Sequence, residues 1–202
     1  MALPAALVAS LLAGCGSISG GPPAPGAVIW PAPGNPLELT VQAGLKPEPK
    51  ETLVFHVHAH LDVFLDGRAV LVPAGLGINV ADPAVKHGQW NDEPTYGGIS
   101  GCDQPCISPL HTHDASGVIH TESATSTPNR LGQLFTEWGV ALSDSCAGQY
   151  CEPATAVAMY VNGKKLTGSF AEVPLTDRKQ IALVIGSAPK QIPSAFPSWA
   201  PA

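Results

Sequence analysis

Phe55-His56-Val57-His58-Ala59-His60-Leu61-Asp62-Val63-Phe64-Leu65-Asp66-Gly67 is the stretch that decides the fold. Side chains on a strand alternate between its two faces, so residues two apart point the same way. On that rule His56, His58 and His60 line one face, and Phe55, Val57, Ala59 and Leu61 line the other. The extended run covers Thr52 to Leu65, Asp66-Gly67 is a strong hairpin turn, and Ala69 to Pro73 forms the return strand.

Further along, His111-Thr112-His113-Asp114 and His120-Thr121-Glu122 repeat the alternation. Two strands are expected around Asp114-Ala115-Ser116-Gly117, one ending at His113 and one running from Val118 to Glu122. Between the histidine segments, Gly75 to Gly101 is rich in Gly, Pro and Asp and reads as loop with one short strand. A single helix follows. Thr127 is placed to cap it, Pro128 suits its first position, and Leu131, Leu134, Phe135 and Trp138 recur at helical spacing before Gly139. A last hairpin has Ala156 to Val161, the turn Asn162-Gly163, and a strand near Gln180 to Ile185. The expected class is α+β: mostly antiparallel β, as a sheet, partial barrel or sandwich, with one amphipathic helix, in a single domain over residues 51–187.

The ends read differently. Leu3 to Ala13 is an apolar run ending in Leu12-Ala13-Gly14-Cys15, although no Lys or Arg precedes it. It is about half the ~20 residues of a spanning helix, so residues 1–14 read as a lipoprotein signal peptide with Cys15 as the lipidated residue. Residues 15–50 are crowded with Gly and Pro and read as a tether, and 188–202 as a loose Pro-rich tail. The expected location is the extracytoplasmic face of the membrane, with the membrane itself as partner through the lipid. The formal net charge is −6 and there is no basic run, which argues against nucleic acid. In an exported chain, Cys102, Cys106, Cys146 and Cys151 read as two disulfides. Three connectivities are open, the crossed ones stabilising most, with a four-cysteine zinc site as the rival.

Six of the seven histidines fall in the two segments, and only His87 stands apart, with no role assigned. Strands presenting imidazoles on one face are what a metal cage on a β scaffold requires. Imidazole suits Cu, Zn, Fe and Ni, and a carboxylate adds a hard ligand. The candidate ligands are His56, His58, His60, His111, His113, His120 and Glu122, for Cu or Zn with Fe as a further option. Asp114 is a second carboxylate able to ligate or to orient an imidazole. Three functions follow: metal buffering, sensing or delivery; a metalloenzyme with Glu122 as general base; or an interaction module whose histidines respond to pH.

The segments from His56 to Gly67, Val72-Pro73-Ala74-Gly75-Leu76-Gly77-Ile78, His111 to Ser123, Leu131 to Gly139 and Tyr160 to Lys164 resemble a family of exported bacterial and archaeal proteins and lipoproteins. The resemblance spans nearly the whole expected domain and is most specific over His111 to Ser123. It implies one fold for the histidine segments and the tryptophan helix, and no activity. The spacing departs from the cupin and copper–zinc superoxide dismutase patterns. Cys102-Asp103-Gln104-Pro105-Cys106 lacks the following helix that a thioredoxin-fold copper carrier needs. No phosphate-cradling loop, dinucleotide fingerprint or GxSxG elbow is present.

Overall fold

β1 (Phe55–Leu65) is the longest strand and organises the sheet. The structure, a computed structural model, describes residues 26–200, so the expected signal segment and Cys15 lie outside the described residues. After β1 come β2 (Arg68–Val70), β3 (Lys86–Trp90), β4 (Glu93–Gly97), β5 (Leu110–His111) and β6 (Val118–Ser123). Then follow three short strands, β7 (Leu142–Ser143), β8 (Cys146–Ala147) and β9 (Tyr150–Cys151), and finally β10 (Val157–Val161), β11 (Lys164–Lys165) and β12 (Lys179–Ile185). The main sheet has the order β11-β10-β12-β1-β6-β5, with β2 also paired to β1, and it does not close into a barrel. The pairing is antiparallel except between β1 and β12, which run parallel from Ala59↔Lys179 to Leu65↔Ile185. The architecture is α+β with a dominant antiparallel sheet, as expected from the sequence.

The apolar face of β1 works as the alternation requires. Ala59, Leu61, Val63 and Leu65 pack with Ile181, Leu183 and Ile185 of β12 and Met159 of β10. Over them lies α2 (Leu131–Glu137), which contributes Leu131, Leu134 and Phe135, with Trp138 just beyond its end. Burying each such side chain contributes roughly 1.5–3 kcal/mol, which makes this face the stabilising layer of the domain.

Several expectations need correction. The helix does not begin at Thr127–Pro128. Arg130 is extended, Leu131 N–H donates to Val173 O and Leu175 N–H to Asn129 O, so pairing with a distant segment holds these residues out of the helix. Gly139 does end it, at φ +69°. Residues 26–50 are not a loose tether throughout. A second helix, α1 (Pro36–Gln42), packs on α2, Thr40 is buried, and Trp30 stacks edge-on against Trp138 at 5.6 Å. The tail is anchored as well, since Phe196 is buried and lies under Arg178. Residues 75–101 hold a full hairpin, β3–β4, turned by Asn91-Asp92 with positive φ at both. The disulfides are the local pairs Cys102–Cys106 and Cys146–Cys151, not the crossed ones, which also removes the four-cysteine zinc site. Among the described residues no helix is long and apolar enough to cross a membrane.

Candidate metal centre

On the face of the sheet opposite α2, strand register decides which histidines meet. β6 lies between β1 and β5. Across it, His56 faces Glu122 and His58 faces His120 from β1, while His111 faces His120 from β5. Five imidazoles and one carboxylate therefore collect over β6. His56 Nε2 is 3.2 Å from Glu122 Oε1, His120 Nδ1 is 3.4 Å from the same oxygen, and His111 Nε2 is 3.8 Å from it. His58 Nε2 lies 3.2 Å from His120 Nδ1.

Two of these rings are fixed in one tautomer. His111 Nδ1–H donates to Ser108 O at 2.9 Å, and His113 Nδ1–H donates to Tyr96 O at 2.6 Å. A carbonyl oxygen only accepts, so each Nδ1 carries a proton, and in the neutral rings both Nε2 atoms carry the lone pairs. Those two Nε2 atoms face each other at 3.3 Å. Two acceptors so placed repel unless a cation lies with them. A tetrahedral ion with bonds of about 2.0–2.1 Å to nitrogen sets its ligand atoms about 3.3–3.4 Å apart, so the spacing fits. Backbone carbonyls that hold the far nitrogen of a ligating imidazole are the usual orienting partners of such sites.

Electrostatics point the same way. Glu122 is 4% exposed, and its Oε2 is buried without a hydrogen-bond partner. Its charged-group contacts among the described residues are all imidazoles. Burial, then His113 and His120, holds His111 well below the usual imidazole range; burial and the neighbouring rings hold His120 down to about 2. His58 is lowered by burial and then by His56. These rings are neutral lone-pair donors near neutral pH, while a buried carboxylate among them needs a positive charge. The residues present fit a transition-metal ion.

His111, His113, His120 and Glu122 offer ligand atoms all within 4.8 Å of one another, and so do His56, His58 and His120. His60 does not join them. Its Nδ1 faces Gln180 Oε1 at 3.1 Å and its Nε2 faces Ser116 O at 2.9 Å, so both nitrogens are aimed at other oxygens and away from the cluster. The Gln180 amide is itself oriented, because its Nε2 donates to Asp62 Oδ2 and to Ile181 O. Asp114 is also diverted, accepting from Ser116 N–H at 2.8 Å. His87 is exposed and bonds Val80 O, apart from the cluster.

No family model, curated protein or solved structure matches this chain. The site itself therefore carries the functional reading. The sequence passed over the carbonyls of Ser108 and Tyr96, because backbone groups leave no signature in residue type. It also passed over Glu51, whose Oε1 lies 3.9 Å from His113 Nε2. Glu51, Leu53, His56, His113, His120 and Glu122 line a solvent-open cleft over the cluster.

Proposed function

We propose that the protein is a membrane-anchored lipoprotein whose extracytoplasmic domain binds Cu or Zn and buffers, senses or delivers it. Anchoring rests on the apolar segment and Cys15, and the metal on His111, His113, His120 and Glu122. The observation that carries the reading is the pair of Nε2 lone pairs, 3.3 Å apart beside a buried carboxylate, with both Nδ1 protons tied to backbone carbonyls. Donors of this kind, imidazole with one carboxylate, suit Zn and Cu. The open cleft gives an ion a way in and out, as buffering or delivery needs. Elemental analysis of the chain purified without a histidine tag should find near-stoichiometric Cu or Zn. His111→Ala/His113→Ala should lose it, and unchanged content in that variant would sink the proposal.

The same cleft favours a second reading, a metalloenzyme. A position left open toward solvent would supply Lewis acidity to a bound molecule, with Glu122 holding the transferred proton. Azide added to the Co(II)-loaded protein separates the two. A shifted visible spectrum shows a replaceable position and supports catalysis, and an unchanged one shows a closed site suited to storage.

A further inference from the structure

The donors are more numerous than one ion uses. A tetrahedral ion takes four ligands, yet five imidazoles and a carboxylate face one another here. Their distribution is set by strand order. β6 carries His120 and Glu122 down the middle, β1 brings His56 and His58 from one side, and β5 with the residues after it brings His111 and His113 from the other. Neighbouring strands lie about 4.7–4.9 Å apart, so β1 and β5 are separated by roughly twice that distance. An ion with bonds near 2.1 Å draws its ligand atoms together over only about 4 Å.

The close groupings divide the same way. His111, His113, His120 and Glu122 form one, and His56, His58 and His120 form the other, while neither joins His56 or His58 to His111 or His113. His120 belongs to both, with its Nδ1 3.2 Å from His58 Nε2 and 3.4 Å from Glu122 Oε1. Glu122 also reaches both sides, with Oε1 3.2 Å from His56 Nε2 and 3.8 Å from His111 Nε2. Two buried polar atoms in the cluster have no partner, Glu122 Oε2 and His58 Nδ1. A single ion on the His111 side leaves His56 and His58 without employment and His58 buried against other neutral rings.

We propose that the cluster is a two-ion centre. One transition-metal ion sits on the His111/His113 side and a second on the His56/His58 side, with His120 and Glu122 shared between them. This rests on the reading that the cluster binds metal, and it extends the site to ligands from a third strand. Two adjacent ions bridged by protein groups couple to each other, which a single ion cannot do.

The test is a titration of the metal-stripped full chain with Zn(II), counted by native mass spectrometry, and with Cu(II), followed by electron paramagnetic resonance. The wild type should take two ions per chain, and the Cu(II) signal should lose intensity as the second equivalent binds. His56→Ala/His58→Ala should take one ion and give the full signal of an isolated Cu(II). One ion in the wild type, with that count unmoved by His56→Ala/His58→Ala, overturns the two-ion centre and leaves metal binding standing. A wild type that takes one ion and loses it on changing either pair has a single shared centre, which likewise overturns the proposal. No ion at all overturns both readings. The resonance measurement on the wild type needs no variant, so a variant that fails to fold does not spoil the test.

Discussion

The two halves of β1 share one backbone and one alternation, yet only one half builds a site. From Phe55 to His60 the strand pairs with β6, so its outward face meets Glu122 and His120. From Ala59 onward it also pairs with β12, and its far end pairs with β2. There the face opposite α2 presents Phe64 to Ala182 and Val184 of β12 as a small apolar cluster. His60 sits at the junction, register-opposite Val118 on one side and Gln180 on the other. It points the same way as His58, but Gln180 and Ser116 occupy both its nitrogens. On a sheet, the partner across the ladder decides what a histidine does, more than the alternation that aims it.

The largest expected effects come from two glycines, each beside one histidine environment. Gly77 has φ +70°, and an added Cβ would lie 2.4 Å from Leu110 O and 3.3 Å from the Cβ of His111. Gly117 has φ +86°, and its Cβ would lie 2.4 Å from Leu61 O and 3.2 Å from His60 Nε2. Left-handed strain of about 1–2 kcal/mol and overpacking of about 1–3 kcal/mol put each alanine change near 3 kcal/mol of lost stability. Urea unfolding should show similar losses for both. Only Gly77→Ala should weaken metal binding in the folded fraction, measured by competition with a chromophoric chelator. Equal weakening by both would break the distinction between the two environments.

His60→Ala sharpens the comparison further. It removes the ring that faces Ser116 O and Gln180 Oε1, and an unpaired buried polar group costs about 1–3 kcal/mol. Stability should fall by about 2 kcal/mol or slightly more, while the number of metal ions bound stays that of the wild type. A lost ion would place His60 in the coordination sphere after all.

His56, His58, His111, His113, His120 and Glu122 were legible because a period of two is enough to put them on one face. His60 obeyed the same period, but Gln180 lies 120 positions away and nothing local announces it. The turns at Asp66-Gly67 and Asn162-Gly163 were legible because all four residues adopt positive φ, which these residue types tolerate. Asn91-Asp92 turns the chain in the same way, yet β3 is exposed along its whole length and shows no alternation to flag a strand. The parallel pairing of β1 with β12 joins distant segments, and the late start of α2 reflects the bonds of Leu131 with Val173 and of Asn129 with Leu175. Tertiary contacts overrode a helix-start signal that is sound in isolation. Residues 26–50 gained their order from Trp30 and α1 docking onto α2, a contact no periodicity within that stretch reveals.

Acidity offers the smallest and most discriminating effect, because the histidine face and the helical layer respond in opposite directions. His111 and His120 are depressed from 6.5 in the folded protein, mainly by burial, so below pH 6.5 the unfolded chain takes up protons that the native chain refuses. Stability then falls with falling pH, by up to about 1.4 kcal/mol per unit for each ring. Glu137, buried in α2 and bonded by the Thr40 hydroxyl, is raised from 4.5 to about 8 by its burial. It is protonated in the native state and ionised in the unfolded one between those values, so its contribution is lost as pH rises. The metal-free chain should therefore be most stable near pH 6.5. On going to pH 5 the depressed rings cost more than the roughly 2 kcal/mol that Glu137 offsets, leaving a net loss of roughly 1 kcal/mol. Toward pH 8 the decline should come from Glu137, and Glu137→Gln should flatten that arm and steepen the acid arm by the lost offset of about 2 kcal/mol. Denaturant midpoints across pH 5 to 8 measure both arms. If Glu137→Gln changed the acid arm by clearly more or less than that lost offset, the helical layer and the histidine face would be one coupled unit, and their separation across β1 would not hold.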